Sequence, residues 1–330
     1  MNVYFDKPNL VSFITCNKKD NRFQYCMDTL LNHCHICMNF NKESLYEQSD
    51  ENELIKDWLK ICNEGVSKGQ WSWGNIFPPR PIKSNTPKLF TPTQHSAVYL
   101  INDDKIDLLK SKGQYLIARA GEEIDVLSRL WMDDRQYVKN IFNELNDWSD
   151  LSPYVLPCSD IILIDQFILS DINMLESNFY KLLEILCKDV CGSRMNIVLF
   201  SRNKDALGIE PDWKTIAKEI KNRVETITQF KPYVTIVTGS RDKLGEHDRT
   251  IFTNYMFLDS GDSFNYFNST GEKITKGRYF RVNSMASKAN MEAAREFIKD
   301  MQNLYDSIKK SNPNNIYKDA KCECNYINLS

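Results

Sequence analysis

A histidine and an arginine two positions apart, His247 and Arg249, are the residues of this chain whose types and spacing best suit chemistry on a phosphate ester. On a β-strand, residues two apart project from the same face. Histidine can act as nucleophile or base near neutral pH, and arginine can engage phosphoryl oxygens through two donors. Asn254 follows shortly after, so we expect His247, Arg249 and Asn254 to form the reacting centre if the protein is a catalyst.

Basic and polar residues surround this pair. Arg241 and Lys243 precede His247 and add to a local basic cluster suited to phosphate contacts, although an ordinary solvated loop would also explain them. Because the net charge is −2, contact with nucleic acid or phosphate is expected to be local. The expected ligand-binding residues are Arg241, Lys243, Arg249, Ser260, Asp262, Ser263 and Asn265.

The segment 247–267 resembles the motif of the phospholipase D superfamily, which has the form His-x-Lys-x4-Asp-x6-Gly-Ser-x-Asn. The counterparts in this chain are His247, Arg249, Asn254, Gly261 and Asp262. The intervals match through the glycine. Arg249 replaces the lysine, Asn254 the aspartate and Asp262 the serine. A single copy of the motif is present, whereas catalytic members pair two copies.

The same segment is closest to the C-terminal phospholipase-D-like domain of MIT-domain proteins. That domain has a His-Asp-Arg-x-Ile stretch, a glycine-containing turn and a Tyr-Phe pair, matched here at 247–251, 260–262 and 266–267. Relatives with this version of the motif are regarded as non-catalytic modules that bind membranes. The resemblance covers roughly residues 155–310, and it implies an α/β domain that recognises a phosphate-bearing ligand or a protein partner.

Buried strands and amphipathic helices alternate before the motif and must position it. Short apolar runs at 160–165, 195–200 and 233–237 are typical of strands buried on both faces. Helical periodicity at 178–191 and 211–227 predicts a helix between each pair of strands. This order predicts neighbouring parallel strands with helices on the sheet faces, an α/β sandwich.

The length of 330 residues suits about two domains. We expect a mixed α/β region of unassigned fold over 1–152, the phospholipase-D-like domain over 153–310 and a polar tail with weak structure over 311–330. The elements predicted for the first region are helices over 51–62, 123–131 and 136–148 and a strand over 96–101.

Neither a cofactor nor a metal is expected. Glycine is scarce, at 12 residues, and the chain lacks a nucleotide-binding loop pattern. Histidine and cysteine are good zinc ligands, but the run 33–37 (HCHIC) has no second pair at a suitable spacing, so core and surface alternation on a strand explains it better. Glu123 and Asp125 show no metal-binding spacing, and we expect them to complement a helix dipole.

The leading hypothesis is a binding or interaction protein. Scattered cysteines, a polar start at Asp6 and Lys7 and the lack of a long apolar run favour a cytoplasmic protein without a transmembrane segment. Its expected partner is a phosphate-bearing ligand (nucleic acid or a phospholipid headgroup) or a protein. A composition rich in Asn, Lys and Ile suggests an AT-rich bacterial genome and a defence or mobile-element system.

Two alternatives stay open. The first is a phosphodiesterase or nuclease that uses His247 as nucleophile in a homodimer, because two motif copies meeting at a two-fold axis would complete the site. The second is a structural subunit of a larger complex.

Overall fold

The described residues form two compact units. A computed structural model describes residues 1–16, 20–38, 40–49, 52–69, 71–73, 96–102, 116–130, 138–169, 171–188, 190, 195–204, 207–229, 231–245, 249–274 and 279–329. The first unit comprises Met1–Tyr137 and Ser284–Glu292; the second comprises Val138–Asn283 and Ala293–Ser330. The division therefore differs from the boundary expected near residue 153.

The first unit is built on a parallel sheet. Within the described residues its strands are β1 (Asn2–Phe5), β2 (His35–Met38), β3 (Trp71–Trp73), β4 (Val98–Leu100) and β5 (Leu116–Ala118). Their order is β3-β2-β1-β4-β5, and each neighbouring pair runs parallel. The chain winds outwards from β1 to β3 and then returns to the other side of β1, so the winding direction reverses between β1 and β4.

Amphipathic helices accompany this sheet. They are α1 (Lys7–Thr15), α2 (Phe23–His33), α3 (Glu43–Ser49), α4 (Glu53–Ser67) and α5 (Glu123–Ser128). In α4 the buried residues Ile55, Trp58, Leu59 and Cys62 recur at helical spacing. The predicted helix at 51–62 is thus confirmed and continues to Ser67.

The second unit contains a larger mixed sheet. Its described strands are β6 (Val138–Asn140), β7 (Asp160–Ile164), β8 (Asn196–Arg202), β9 (Tyr233–Gly239), β10 (Arg249–Thr253), β11 (Met256–Ser260), β12 (Phe280–Ser284) and β13 (Ile316–Lys318). Their order is β13-β9-β8-β7-β10-β11-β12-β6. The parallel pairing of β7 with β8 and of β8 with β9 confirms the predicted arrangement, whereas β10 lies antiparallel on the other side of β7.

Helices and tight helical turns connect these strands. They are a turn at Trp148–Tyr154, α6 (Ile172–Leu175), a π-helical turn at Glu176–Tyr180, α7 (Lys181–Cys187), α8 (Trp213–Thr228), α9 (Arg241–Leu244), α10 (Lys288–Ser311) and a turn at Pro313–Asn315. The fold is therefore mixed α/β.

An aromatic cluster anchors the loop that follows β11. Trp148 is fully buried, and its ring contacts Tyr266, Phe267 and Phe280 at centroid distances of 5.7, 5.6 and 6.0 Å. Its indole N–H donates to the carbonyl of Ser177 at 3.1 Å. Since large aromatic side chains dominate core energetics, this cluster fixes the Tyr-Phe pair of the motif segment within the core.

The segment predicted as a helix over 136–148 has a different structure where it is described. Val138–Asn140 forms β6 and pairs with β12, and the Asn140 side chain accepts a hydrogen bond from the Phe142 N–H at 3.1 Å. Ile141, Leu145 and Trp148 are buried, so their spacing correctly marked core residues. Turns rather than a helix bring them into the core. Pairing at the sheet edge overrides the local pattern.

The C-terminal segment, predicted to be weakly structured, packs into the second unit. β13 pairs with β9, and Tyr326, Ile327 and Leu329 are buried. The backbone N–H and side-chain amide of Asn325 donate to the buried carboxylate of Asp160 at 3.0 and 2.7 Å. Polar residues in this segment therefore satisfy a buried acid instead of marking a solvated tail.

Candidate functional site

Charged and polar groups meet at the carboxyl-terminal ends of β7 and β8. Asp165 directly follows β7, and Arg202 is the last residue of β8. Because Thr250 pairs with Ile164, the antiparallel register places Arg249, at the start of β10, beside Asp165. The chain winds from β7 to β9 and then returns to the other side of β7. In open α/β sheets, ligands bind outside the carboxyl ends of strands where the winding reverses.

Two guanidinium groups lie over one aromatic ring at this edge. The Cζ atoms of Arg202 and Arg249 are 5.5 and 5.9 Å from the centroid of the Phe167 ring, a geometry that favours cation–π attraction. Within the described part of the chain, neither guanidinium lies within ion-pair distance of a carboxylate. Two positive charges are therefore held close together, and among the described residues they are not ion-paired with a carboxylate.

Arg249 uses little of its hydrogen-bonding capacity on the described residues. Its Nη1 donates to the carbonyl of Gly261 at 3.5 Å, and its buried Nε has no acceptor among the described residues. A buried donor without a partner costs about 1–3 kcal/mol. The unused donors favour an external acceptor at this position.

Asp165 holds the surrounding loop in place. Its buried carboxylate accepts hydrogen bonds from the Phe167 N–H at 2.8 Å, the Ser263 hydroxyl at 2.7 Å and the Phe264 N–H at 2.7 Å. Burial raises the pKa of Asp165, while these bonds and the charge of Arg249 oppose the rise. Asp165 is consequently a positioning residue for the Phe167 ring and the loop after β11.

The loop residues expected to contact a ligand have mixed positions. Ser260 is buried, with its hydroxyl 2.6 Å from both the Asp262 carbonyl and the Tyr266 hydroxyl, and Ser263 is bonded to Asp165. The Asn265 amide donates to the Phe167 carbonyl at 2.8 Å. The buried Oδ1 of Asn265 has no donor among the described residues. Asn265 therefore carries an unused acceptor on the side chain that is bonded to the Phe167 backbone, whereas Ser260 serves the loop itself.

Asn254 lies at the other end of β10 from Arg249, so the structure does not bring these two members of the expected reacting centre together. Asn254 is fully buried. Its Oδ1 accepts from the N–H groups of Ser159 and Asp160 at 2.8 and 3.2 Å, and its amide donates to the Ser159 hydroxyl at 3.0 Å. Asn254 is therefore a structural residue at the start of β7, because its buried side-chain oxygen satisfies two buried backbone N–H groups there.

The remaining residues of the expected site lie before β10. His247 is outside the described residues. Arg241 and Lys243 are exposed on α9, and the Lys243 ammonium donates to the Ser311 hydroxyl. The Gln166 amide donates to the Gly245 carbonyl, which ties the end of α9 to the residue preceding Phe167. Arg241 and Lys243 thus extend the positive charge of this edge toward solvent.

Sequence reasoning missed Arg202, Phe167 and Asp165. A usable signal was present, because each residue stands at or just after the end of a strand whose apolar run was recognised. Carboxyl ends of neighbouring parallel strands share one sheet edge. Charged residues at those ends were therefore candidates on topology alone.

The histidine–cysteine run at 33–37 lies in the first unit, partly on β2. His35 Nε2 lies 3.3 Å from the Ser72 hydroxyl, and Cys34 and Cys37 are buried. Burial raises the pKa of the Cys34 thiol to about 11, so it stays protonated. Among the described residues, no three His, Cys, Asp or Glu side chains are grouped to hold a metal.

Comparisons with known proteins do not supply a family. Neither a protein-family model nor a curated protein matches this chain. Across the described ranges, no helix combines the length and apolar character needed to cross a membrane.

Proposed function

We propose that the second unit is a phospholipase-D-like module that binds a phosphate ester without hydrolysing it. The observation that carries the proposal is the pair of guanidinium groups over the Phe167 ring, which lack carboxylate partners within the described residues. The spacing from His247 to Gly261 and the parallel strands that precede it support the same assignment.

The donors of this edge match phosphate in charge and geometry. A guanidinium presents planar, paired donors to phosphoryl oxygens, and such charge-assisted bonds are about twice as strong as neutral ones. The unpaired Nε of Arg249 supplies one further donor, and Oδ1 of Asn265 needs a donor in return. A phosphate ester that also carries a hydroxyl group, such as a nucleotide or a polyol phosphate, would satisfy both.

The positions of the described motif residues favour binding over hydrolysis. The Asn254 side chain is hydrogen-bonded in the core at the far end of β10, and the Asp165 carboxylate is hydrogen-bonded to the loop. The hydroxyls of Ser260 and Ser263 are engaged within the loop as well. Among the described residues of this edge, the two arginines, Asn265 and the exposed Arg241 and Lys243 stay available to a ligand, and these groups bind rather than transfer protons at neutral pH.

The proposal is tested by binding with matched variants of the full chain. Fluorescence anisotropy would compare a short single-stranded oligonucleotide with and without a terminal phosphate, and co-sedimentation would use phosphatidylcholine vesicles with and without an inositol phospholipid. We expect Arg249→Gln and Arg202→Gln each to weaken binding at least tenfold, since a hydrogen bond to a charged group contributes about 1.5–3 kcal/mol. Arg295→Gln, on the exposed face of α10, removes the same charge and should retain wild-type affinity.

The outcomes separate specific recognition from general attraction. Equal losses in all three variants would reduce the effect to net charge, and unchanged affinity in the two site variants would overturn the proposal. Analysis of the recovered oligonucleotide serves as the enzymatic arm. Cleavage that disappears in His247→Ala would replace binding by the nuclease alternative.

A further inference from the structure

A second polar cluster lies in the first unit, at the carboxyl-terminal ends of its parallel strands. Asp6 directly follows β1, Asn102 lies just beyond β4, and Glu123 begins α5 after β5. The winding of this sheet reverses between β1 and β4. This is the position at which α/β sheets bind ligands, and it is independent of the phosphate site.

The carboxylate of Asp6 is fixed in orientation. Its Oδ1 accepts from both the backbone N–H and the side-chain amide of Asn9 at 2.9 Å, and its Oδ2 accepts from the Asn102 N–H at 2.6 Å. Asp6 caps α1 and remains half-buried. Both oxygens of this carboxylate are therefore held by the protein, while the residue is only partly buried.

Glu123 and Asn9 present buried oxygens that the protein leaves unused. Glu123 is 1% exposed; its Oε2 accepts from the Gly121 N–H at 2.9 Å and the Ser12 hydroxyl at 3.2 Å. Its Oε1, and Oδ1 of the fully buried Asn9, have no partner among the described residues. Ser12 lies one helical turn after Asn9, so Asn9 belongs to the face of α1 that the Glu123 carboxylate contacts through Ser12.

These atoms share one unmet requirement. Both unpaired atoms are oxygen acceptors, and burying such a group without a partner is unfavourable. A cation that several oxygens can share would satisfy the unpaired acceptors of Glu123 and Asn9.

The donor set selects the kind of cation. Carboxylate and amide oxygens suit hard divalent ions, whereas thiolates and imidazoles suit zinc and copper. Mg²⁺ binds through one or two carboxylates and retains several waters, and Ca²⁺ takes more protein oxygens. Two carboxylates and one amide correspond to the first pattern.

We propose that Asp6, Asn9 and Glu123 bind one divalent cation, Mg²⁺ or Mn²⁺, with waters completing an octahedral shell. The third ligand of this site is an amide oxygen rather than a carboxylate, imidazole or thiolate. The competing explanation is a protonated Glu123 whose hydroxyl donates to the Asn9 amide oxygen, which requires no metal.

The test uses the chelator-treated full chain titrated with MnCl₂. Electron paramagnetic resonance of free Mn²⁺ counts the bound ions, and thermal unfolding with and without MgCl₂ reports coupling to stability. We expect one high-affinity Mn²⁺ per chain, and at least tenfold weaker binding in Glu123→Gln and Asp6→Asn. Both changes keep side-chain size, and asparagine is an effective helix cap. Asp125→Asn removes the same charge from an exposed position on α5 and should bind Mn²⁺ normally.

A further variant tests the site even if Glu123→Gln or Asp6→Asn unfolds the first unit. Asn9→Asp exchanges the amide oxygen for a carboxylate, so we expect it to bind Mn²⁺ more tightly and to lose thermal stability when metal-free. Absence of Mn²⁺ binding at millimolar metal, or binding that Glu123→Gln retains, would overturn the site. A metal-free Glu123→Gln variant as stable as wild type, without Mn²⁺ binding by either, would establish the protonated-acid explanation.

Discussion

Replacing Asn254 with alanine tests whether this residue belongs to the core or to a reacting centre. Asn254 accepts from two buried N–H groups at the entry of β7 and donates to the Ser159 hydroxyl. The substitution removes the shared acceptor and leaves both backbone donors unpaired. The Ser159 hydroxyl keeps its bond to the Asp160 carboxylate at 2.6 Å, so it is not stranded.

The expected cost follows from these contacts. A buried donor that loses its partner costs about 1–3 kcal/mol, and two donors lose theirs. Residual water entry reduces the sum, and the small cavity increases it. We therefore expect Asn254→Ala to lower the free energy of unfolding of the second unit by about 3–5 kcal/mol, a large part of the roughly 5–15 kcal/mol available to a domain.

Urea unfolding followed by tryptophan fluorescence measures this loss, because the buried Trp148 reports on the second unit. Asn222→Ala is the matched control, since Asn222 is exposed on α8 and alanine favours helix. The folded Asn254→Ala variant should retain wild-type affinity for the phosphorylated oligonucleotide. A loss of stability below about 1 kcal/mol, combined with lost binding, would refute the core assignment.

Three further perturbations probe the second unit by the same unfolding assay. Burial raises the pKa of Asp165, so the native state binds the carboxyl proton more tightly than the unfolded chain does. The stability of the wild type relative to Asp165→Asn should therefore fall as pH rises from about 4 through the raised native pKa. An increase in this relative stability over the same pH range would contradict the expectation. Trp148→Ala should cost about 3–5 kcal/mol through the cavity left among the aromatic rings; a loss near zero would mean that the ring cluster does not form. Asn325→Ala removes the hydrogen bond from the Asn325 side-chain amide to the Asp160 carboxylate. It should lower the free energy of unfolding by about 1.5–3 kcal/mol, whereas no change would mean that the C-terminal segment does not unfold together with the second unit.

The strands of the second unit could be predicted because their signal is local. The runs at 160–165, 195–200 and 233–237 are apolar on both faces, and only a buried strand accommodates that pattern at such short length. The crossover rule then fixed their parallel pairing. The 136–148 segment shows the limit, because the spacing of Ile141, Leu145 and Trp148 records burial without recording backbone conformation.

The sites were harder to predict because their members are distant in sequence. Ser12 and Glu123 are 111 residues apart along the chain, and only the sheet order brings the ends of β1 and β5 to one edge. For Asn254 the difficulty is different. Its interval from Arg249 matches a motif, but an interval cannot distinguish a buried amide from one that faces a ligand.

The central claim, that Arg249 recognises phosphate, is tested most directly by observing its own Nε–H group. In ¹⁵N-labelled full-length protein, this resonance can be assigned by its absence in Arg249→Gln. Titration with ribose 5-phosphate should shift it downfield as the unpaired donor gains an anionic acceptor, while ribose should leave it in place. A resonance that stays unchanged up to millimolar phosphate ester, or that responds equally to both compounds, would contradict the claim.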